Sequence, residues 1–161
     1  MKKSSLGIES KSVKATLNIG RALAKNLKPQ DIICLFGRFG SGKTILTKGI
    51  AWGLGLRMDD IISPSFVLIR EHRKARIPLI HFDLYRLNSA KDILGLGYAD
   101  YLYQDGISVI EWADRLKYLM PKEYLKVDLF IKGKTKRRLE FSAFGNRNKE
   151  LLKKIYEDIR H

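Results

Sequence analysis

Cysteine is nearly missing from this sequence. Cys34 has no second thiol to pair with, which excludes an internal disulfide and fits a reducing, cytoplasmic setting. It lies in the middle of the apolar run Ile32-Ile33-Cys34-Leu35-Phe36, with nothing nearby to stabilise a thiolate, so it is expected to be a small core residue. No apolar run approaches the ~20 residues of a membrane span, so no membrane partner is expected. The basic start Met1-Lys2-Lys3-Ser4-Ser5 leads into no apolar segment, which argues against a signal peptide. Repeats, low-complexity tracts and linkers are also missing. At 161 residues and 18.5 kDa, the chain is therefore expected to form one domain, residues 1–161, around one sizeable core. Acidic residues are scarce too, with 17 Asp and Glu against 31 Lys and Arg, a net charge of +14. A surface this basic points toward nucleic acid or another polyanion.

What is present is organised around Gly37-Arg38-Phe39-Gly40-Ser41-Gly42-Lys43-Thr44, which meets the Walker A pattern at every fixed position. An apolar strand precedes it, and Ile45-Leu46-Thr47-Lys48-Gly49-Ile50-Ala51 follows as a helix, the setting this motif needs. The glycines let successive N–H groups turn inward toward phosphate oxygens, and the helix aims its positive end the same way. Lys43 is placed for the β- and γ-phosphates and the Thr44 hydroxyl for Mg²⁺. A nucleoside triphosphate is the implied ligand.

The remaining pattern is that of an α/β protein. Ser12 is a candidate N-cap for a helix through Val13, Leu17, Ala24 and Leu27, ended by Pro29, whereas residues 1–11 offer little signal. Leu79 to Phe82 and Ile107 to Ile110 read as buried strands, and Glu71 to Arg76 as an exposed connection. Ser89 can cap a short helix to Leu94, with another short helical or irregular piece over 98–103. Leu125, Val127, Leu129 and Ile131 alternate, Gly133-Lys134 turns, and Leu139, Phe141 and Ala143 alternate back. A final helix runs from Asn148 to Arg160. The expected fold is a P-loop NTPase-like mixed β-sheet flanked by helices, with a C-terminal antiparallel hairpin and a last helix.

A P-loop needs a carboxylate at the end of a neighbouring strand. Asp83 and Glu111 each end an apolar strand, and if both strands flank the P-loop strand, one carboxylate can hold the metal and the other orient the attacking water. Ser65, in Ser63-Pro64-Ser65-Phe66, is a candidate hydroxyl donor in a switch-like loop. His81 reads as a core histidine, and Trp112 as a residue that packs on the core or covers the site. A GTPase is disfavoured, because the nearest guanine-type motif, Leu125-Lys126-Val127-Asp128, lacks Asn or Thr and sits inside a strand. A small-molecule kinase with the 70–76 charge run as its lid stays open, as does a nucleotide-gated assembly module.

Together, the P-loop, Ser63-Pro64-Ser65-Phe66, His81-Phe82-Asp83-Leu84-Tyr85-Arg86-Leu87 and Ile110-Glu111-Trp112-Ala113-Asp114-Arg115 resemble the bacterial TsaE (YjeE) ATPases. The resemblance implies an ATP- and Mg²⁺-dependent ATPase of tRNA threonylcarbamoyladenosine formation, weak in isolation. Its partners would be a threonylcarbamoyl transferase and that enzyme's non-catalytic relative (TsaD- and TsaB-like proteins), with tRNA met directly or through the complex. It further implies that Lys43 and Asp83 serve hydrolysis and that Thr44 and Glu111 ligate Mg²⁺. Trp112 would stand beside the metal ligand, Ser12 and Val13 would approach the adenine, and Arg137 of the hairpin would contact the nucleotide. Ser65 stands where the family usually carries threonine. Gly95 to Tyr101 also departs from the family, carrying glycine and alanine where acidic residues are usual.

Overall fold

The computed structural model describes residues 5–62, 68–102 and 104–160. Seven strands form one sheet in the order β1-β7-β6-β2-β5-β4-β3. They are β1 (Ser5–Ser10), β2 (Ile32–Gly37), β3 (Ile69–His72), β4 (Leu79–Asp83), β5 (Ile107–Glu111), β6 (Tyr124–Ile131) and β7 (Arg137–Phe144). The central strands β6, β2, β5 and β4 run parallel, while β1, β7 and β3 are antiparallel to their neighbours. The mixed sheet and the C-terminal hairpin are therefore as the sequence led us to expect. Only β5 and β6 flank β2, however; β4, with Asp83, lies one strand beyond β5.

Neither edge strand was foreseen in full: Val67-Leu68-Ile69 reads as an extended run in the sequence, of which β3 keeps Ile69. β1 comes from the stretch with little signal, since only Leu6 and Ile8 alternate inward against the core. β3 takes Glu71 and His72 out of what read as an exposed connection. An edge strand completes its neighbour's backbone pairing without a continuous apolar pattern, which is why polar residues hide it.

Alternation along β2, β4 and β5 divides the core. Ile33, Leu35, Leu79, Ile107 and Val109 face α1 (Val13–Ala24), α2 (Lys43–Gly53) and α5 (Asn146–Arg160). Ile32, Cys34, Ile80, Phe82 and Ile110 face α3 (Ala90–Gly95), α4 (Tyr98–Leu102) and the 3-10 stretch Ala113–Leu119. Cys34 is fully buried and its thiol pKa is pushed up by that burial, as befits an inert core residue. Ser12 caps α1 by accepting from the Ala15 N–H at 3.0 Å, and Ser89 caps α3 through Asp92 N–H at 3.2 Å. α1 ends at Ala24, earlier than Pro29 suggested. Arg147 on α5 grips the buried Asp31 with two nitrogens, at 3.0 and 2.8 Å, fixing the turn that leads into β2. Among the described residues no helix is long and apolar enough to cross a membrane.

The contact that matters most for the site is that between α1 and α2. A Cβ on Gly49 would sit 2.3 Å from Leu17 O, and one on Gly20 2.6 Å from Leu46 O, so the two backbones touch. Gly49→Ala would gain up to about 1 kcal/mol of helix propensity, but it would force two backbones apart. We expect a net loss of about 1–3 kcal/mol by urea unfolding, and no loss would show that the helices have room to separate.

Candidate functional site

The P-loop closes between β2 and α2. Gly42, at φ 106°, makes the left-handed turn that starts α2, and a Cβ on Gly37 would lie 2.8 Å from Leu129 O of β6. Lys43 is buried at the first position of α2, and its Nζ donates to Gly37 O at 2.6 Å and Arg38 O at 2.9 Å. Burial pulls its ammonium below the ordinary lysine pKa, against the opposing pull of the Glu111, Asp114 and Asp83 carboxylates. Ser41 is buried in the same loop and its Oγ finds no partner among the described residues. Arg38 and Phe39 are exposed, and the Phe39 ring lies 6.3 Å from that of Tyr85.

Glu111 reaches the loop because β5 pairs in parallel with β2, which sets Glu111 level with Leu35. The Thr44 hydroxyl donates to Glu111 Oε1 at 2.7 Å, and His81 Nε2 contacts the other oxygen, Oε2. Asp83 stands level with Glu111 on β4, buried, and its Oδ1 accepts from the Tyr85 N–H at 3.1 Å. Immediately after Glu111 the chain turns at Trp112, which adopts a left-handed conformation at φ 57°. That conformation costs a bulky residue on the order of 1–3 kcal/mol. It sets the indole 4.1 Å from Lys43 Nζ and 4.9 Å from the Tyr85 ring.

Two adjoining hollows follow this line. One, of about 300 Å³, is lined by Phe39, Lys43, Thr44, Glu111 and Trp112, together with Gly40, Gly42 and Ile45. The last three also line a hollow of about 190 Å³, whose other walls are Ser12, Val13 and Thr16 of α1 and Lys134, Thr135 and Arg137 of the hairpin. Arg137 staples that hairpin to the loop, its Nη2 donating to Gly40 O at 3.1 Å. A larger hollow of about 430 Å³, beside Trp52 and Arg57, carries none of these residues.

The candidates from the sequence thus converge, except that Asp83 flanks the hollows and Ser65 falls outside the described residues. Sequence reasoning missed Lys134 and Thr135, which only the pairing of β6 beside β2 brings to the loop, and it missed the His81 contact. Among the described residues no group of three or more His, Cys, Asp and Glu side chains is placed to hold a metal. One hydroxyl and one or two carboxylates, all hard oxygen donors, instead suit an ion that keeps waters and takes phosphate ligands, as Mg²⁺ does.

The described geometry is testable without ligand. Thr44→Val should cost about 1–2 kcal/mol of stability, measured by urea unfolding, and Thr44→Ser should cost less than half of that. Equal losses would mean that the hydroxyl does not hold Glu111.

Comparison with known proteins gives a consistent picture. Residues 10–139 match the family model for the threonylcarbamoyl adenosine biosynthesis protein TsaE. The tRNA threonylcarbamoyladenosine biosynthesis protein TsaE of Bacillus subtilis is 35% identical over 140 residues, covering 87% of each chain. Its namesake from a Nostoc species is 37% identical over 137 residues, covering 81% of this chain and 82% of the relative. The crystal structure of Bacillus subtilis YdiB superposes with a TM-score of 0.81 at 31% identity, over 95% of both chains.

Proposed function

The chain belongs to the TsaE family of threonylcarbamoyl adenosine biosynthesis proteins, and from that premise we propose that it is a Mg²⁺-dependent ATPase subunit of a tRNA-modifying assembly. The assembly forms N6-threonylcarbamoyladenosine beside the anticodon of tRNAs reading codons that begin with A. A partner transferase performs the acyl transfer together with its non-catalytic relative, TsaD- and TsaB-like proteins. ATP hydrolysis by this chain resets that complex between turnovers. The observation that carries the reading is the Thr44–Glu111 contact of 2.7 Å at the N-terminus of the P-loop helix, beside a buried lysine.

On this reading the adenine occupies the hollow between Ser12, Val13 and Arg137, and the triphosphate follows the backbone N–H groups of residues 37–44. Lys43 leaves the Gly37 and Arg38 carbonyls for the β- and γ-phosphates, an exchange of neutral acceptors for charged ones that favours the bound state. Thr44 and Glu111 hold Mg²⁺, which supplies neutralisation of the charge developing on the phosphate oxygens. Asp83, buried next to Glu111, orients the attacking water. Trp112 packs over Lys43 and limits solvent access to this end of the site. Ser65 supplies a hydroxyl toward the γ-phosphate, and the basic surface faces tRNA or an acidic partner in the cytoplasm.

Multiple-turnover threonylcarbamoylation of tRNA with the two partner proteins tests the assignment. Wild type should sustain turnover while showing only slow hydrolysis alone. Lys43→Ala should abolish it, with ATP affinity down about a hundredfold or more from the loss of charge-assisted hydrogen bonds. Glu111→Gln should bind ATP and fail to support turnover. If wild type adds nothing to the partners, the assignment is wrong. Full function of Glu111→Gln would favour a nucleotide-gated module in which hydrolysis is incidental.

A further inference from the structure

β4 is an apolar strand with one polar residue in its interior. His81 is fully buried, and its neighbours Leu79, Ile80 and Phe82 belong to the two cores. Burying an imidazole among such residues is costly unless its nitrogens are satisfied. Only one of them is. Nε2 contacts Glu111 Oε2, whereas Nδ1 has no partner among the described residues. A histidine kept only for packing would be expected to tie both nitrogens or to be replaced by an apolar side chain. Among the described residues, the hydrogen-bond partner of this ring is Glu111.

The sheet dictates that meeting. His81 pairs with Val109 and Asp83 pairs with Glu111, so His81 lies diagonally across from Glu111 on the same face of the parallel pair. The two oxygens of Glu111 then have separate partners: Oε1 takes the Thr44 hydroxyl at 2.7 Å, and Oε2 meets the imidazole. With Thr44 alone, the carboxylate could swing about its last torsion, which is a broad one. With both partners its plane is set. Mg²⁺ demands near-ideal octahedral geometry, so a carboxylate ligand must be aimed as well as present.

We infer that His81 is a positioning residue, one that donates its Nε2–H to Glu111 and fixes the orientation in which that carboxylate meets the metal of a bound Mg²⁺–nucleotide. The inference rests on Glu111 being a metal ligand, as read above. His81 touches neither nucleotide nor ion in this account. Its effect passes through Glu111, and partners of this kind typically set roughly 10- to 100-fold in metal affinity.

The test measures binding of a fluorescent non-hydrolysable ATP analogue with and without Mg²⁺, in wild type, His81→Leu, His81→Gln and Glu111→Gln, with melting temperatures recorded for each. Wild type should bind more tightly with Mg²⁺. His81→Leu should lose roughly 10- to 100-fold of that gain while its metal-free affinity stays within about twofold. His81→Gln, whose amide nitrogen reaches as far as Nε2, should recover most of the gain. A His81→Leu protein with the full Mg²⁺ gain overturns the inference, as does one that loses metal-free affinity to the same extent. Wild type without any Mg²⁺ gain overturns the metal reading beneath it, and this inference with it. Should His81→Leu fail to fold, imidazole-nitrogen NMR of the wild type decides: the proton belongs on Nε2, and a bare Nε2 with the proton on Nδ1 overturns the proposal.

Discussion

The pairing of β5 beside β2 is the constraint on which this site depends. Parallel register holds Glu111 level with Leu35, just before the chain leaves β2 for the P-loop. From there a glutamate side chain reaches the first turn of α2, and Thr44 meets it at 2.7 Å. A shift of one residue would send Glu111 to the opposite face of the sheet, away from α2, and would bring Ile110 or Trp112 in its place. The apolar runs of both strands, packed under α1 and α2, oppose that shift. The core therefore fixes the Thr44–Glu111 contact indirectly, by fixing a register.

The same elements join the two ends of the groove. α1 begins at the smaller hollow and α2 begins at the P-loop, and their backbones touch through Gly20 and Gly49. On the far side, Arg137 bridges the hairpin to Gly40. A nucleotide lying along the groove would thus span parts that are already tied together, which lowers the ordering cost of binding it. At the other end, Trp112 holds a left-handed backbone that few bulky residues adopt, and it aims its ring at Lys43. Strain of this sort persists where the surroundings enforce it, and such places cluster at functional sites.

Much of this was legible in the sequence because it is local. The Walker A residues, the carboxylates ending two apolar strands and the alternation of the hairpin each declare themselves within a few positions. What stayed hidden is set by partners distant in the chain. β1 and β3 exist because a neighbouring strand offers unpaired backbone groups. Gly20 and Gly49 matter only because α1 and α2 cross there, a meeting that neither helix's own sequence announces. His81 read as a core histidine, which it is by burial; its contact with Glu111 depends on the register of β4 against β5. Asp83 read as a candidate flank to the P-loop strand, yet strand order sets it one position further out.

On the proposed function, one groove from Ser12 and Val13 through the P-loop to Glu111 holds a nucleoside triphosphate with its metal. A crystal structure with a non-hydrolysable ATP analogue and Mg²⁺ tests it most directly. The base should lie between the start of α1 and Arg137, the phosphates on the 37–44 backbone, and the ion against Thr44 and Glu111. A base lodged elsewhere, such as the hollow beside Trp52, or an ion out of reach of Glu111, would contradict it.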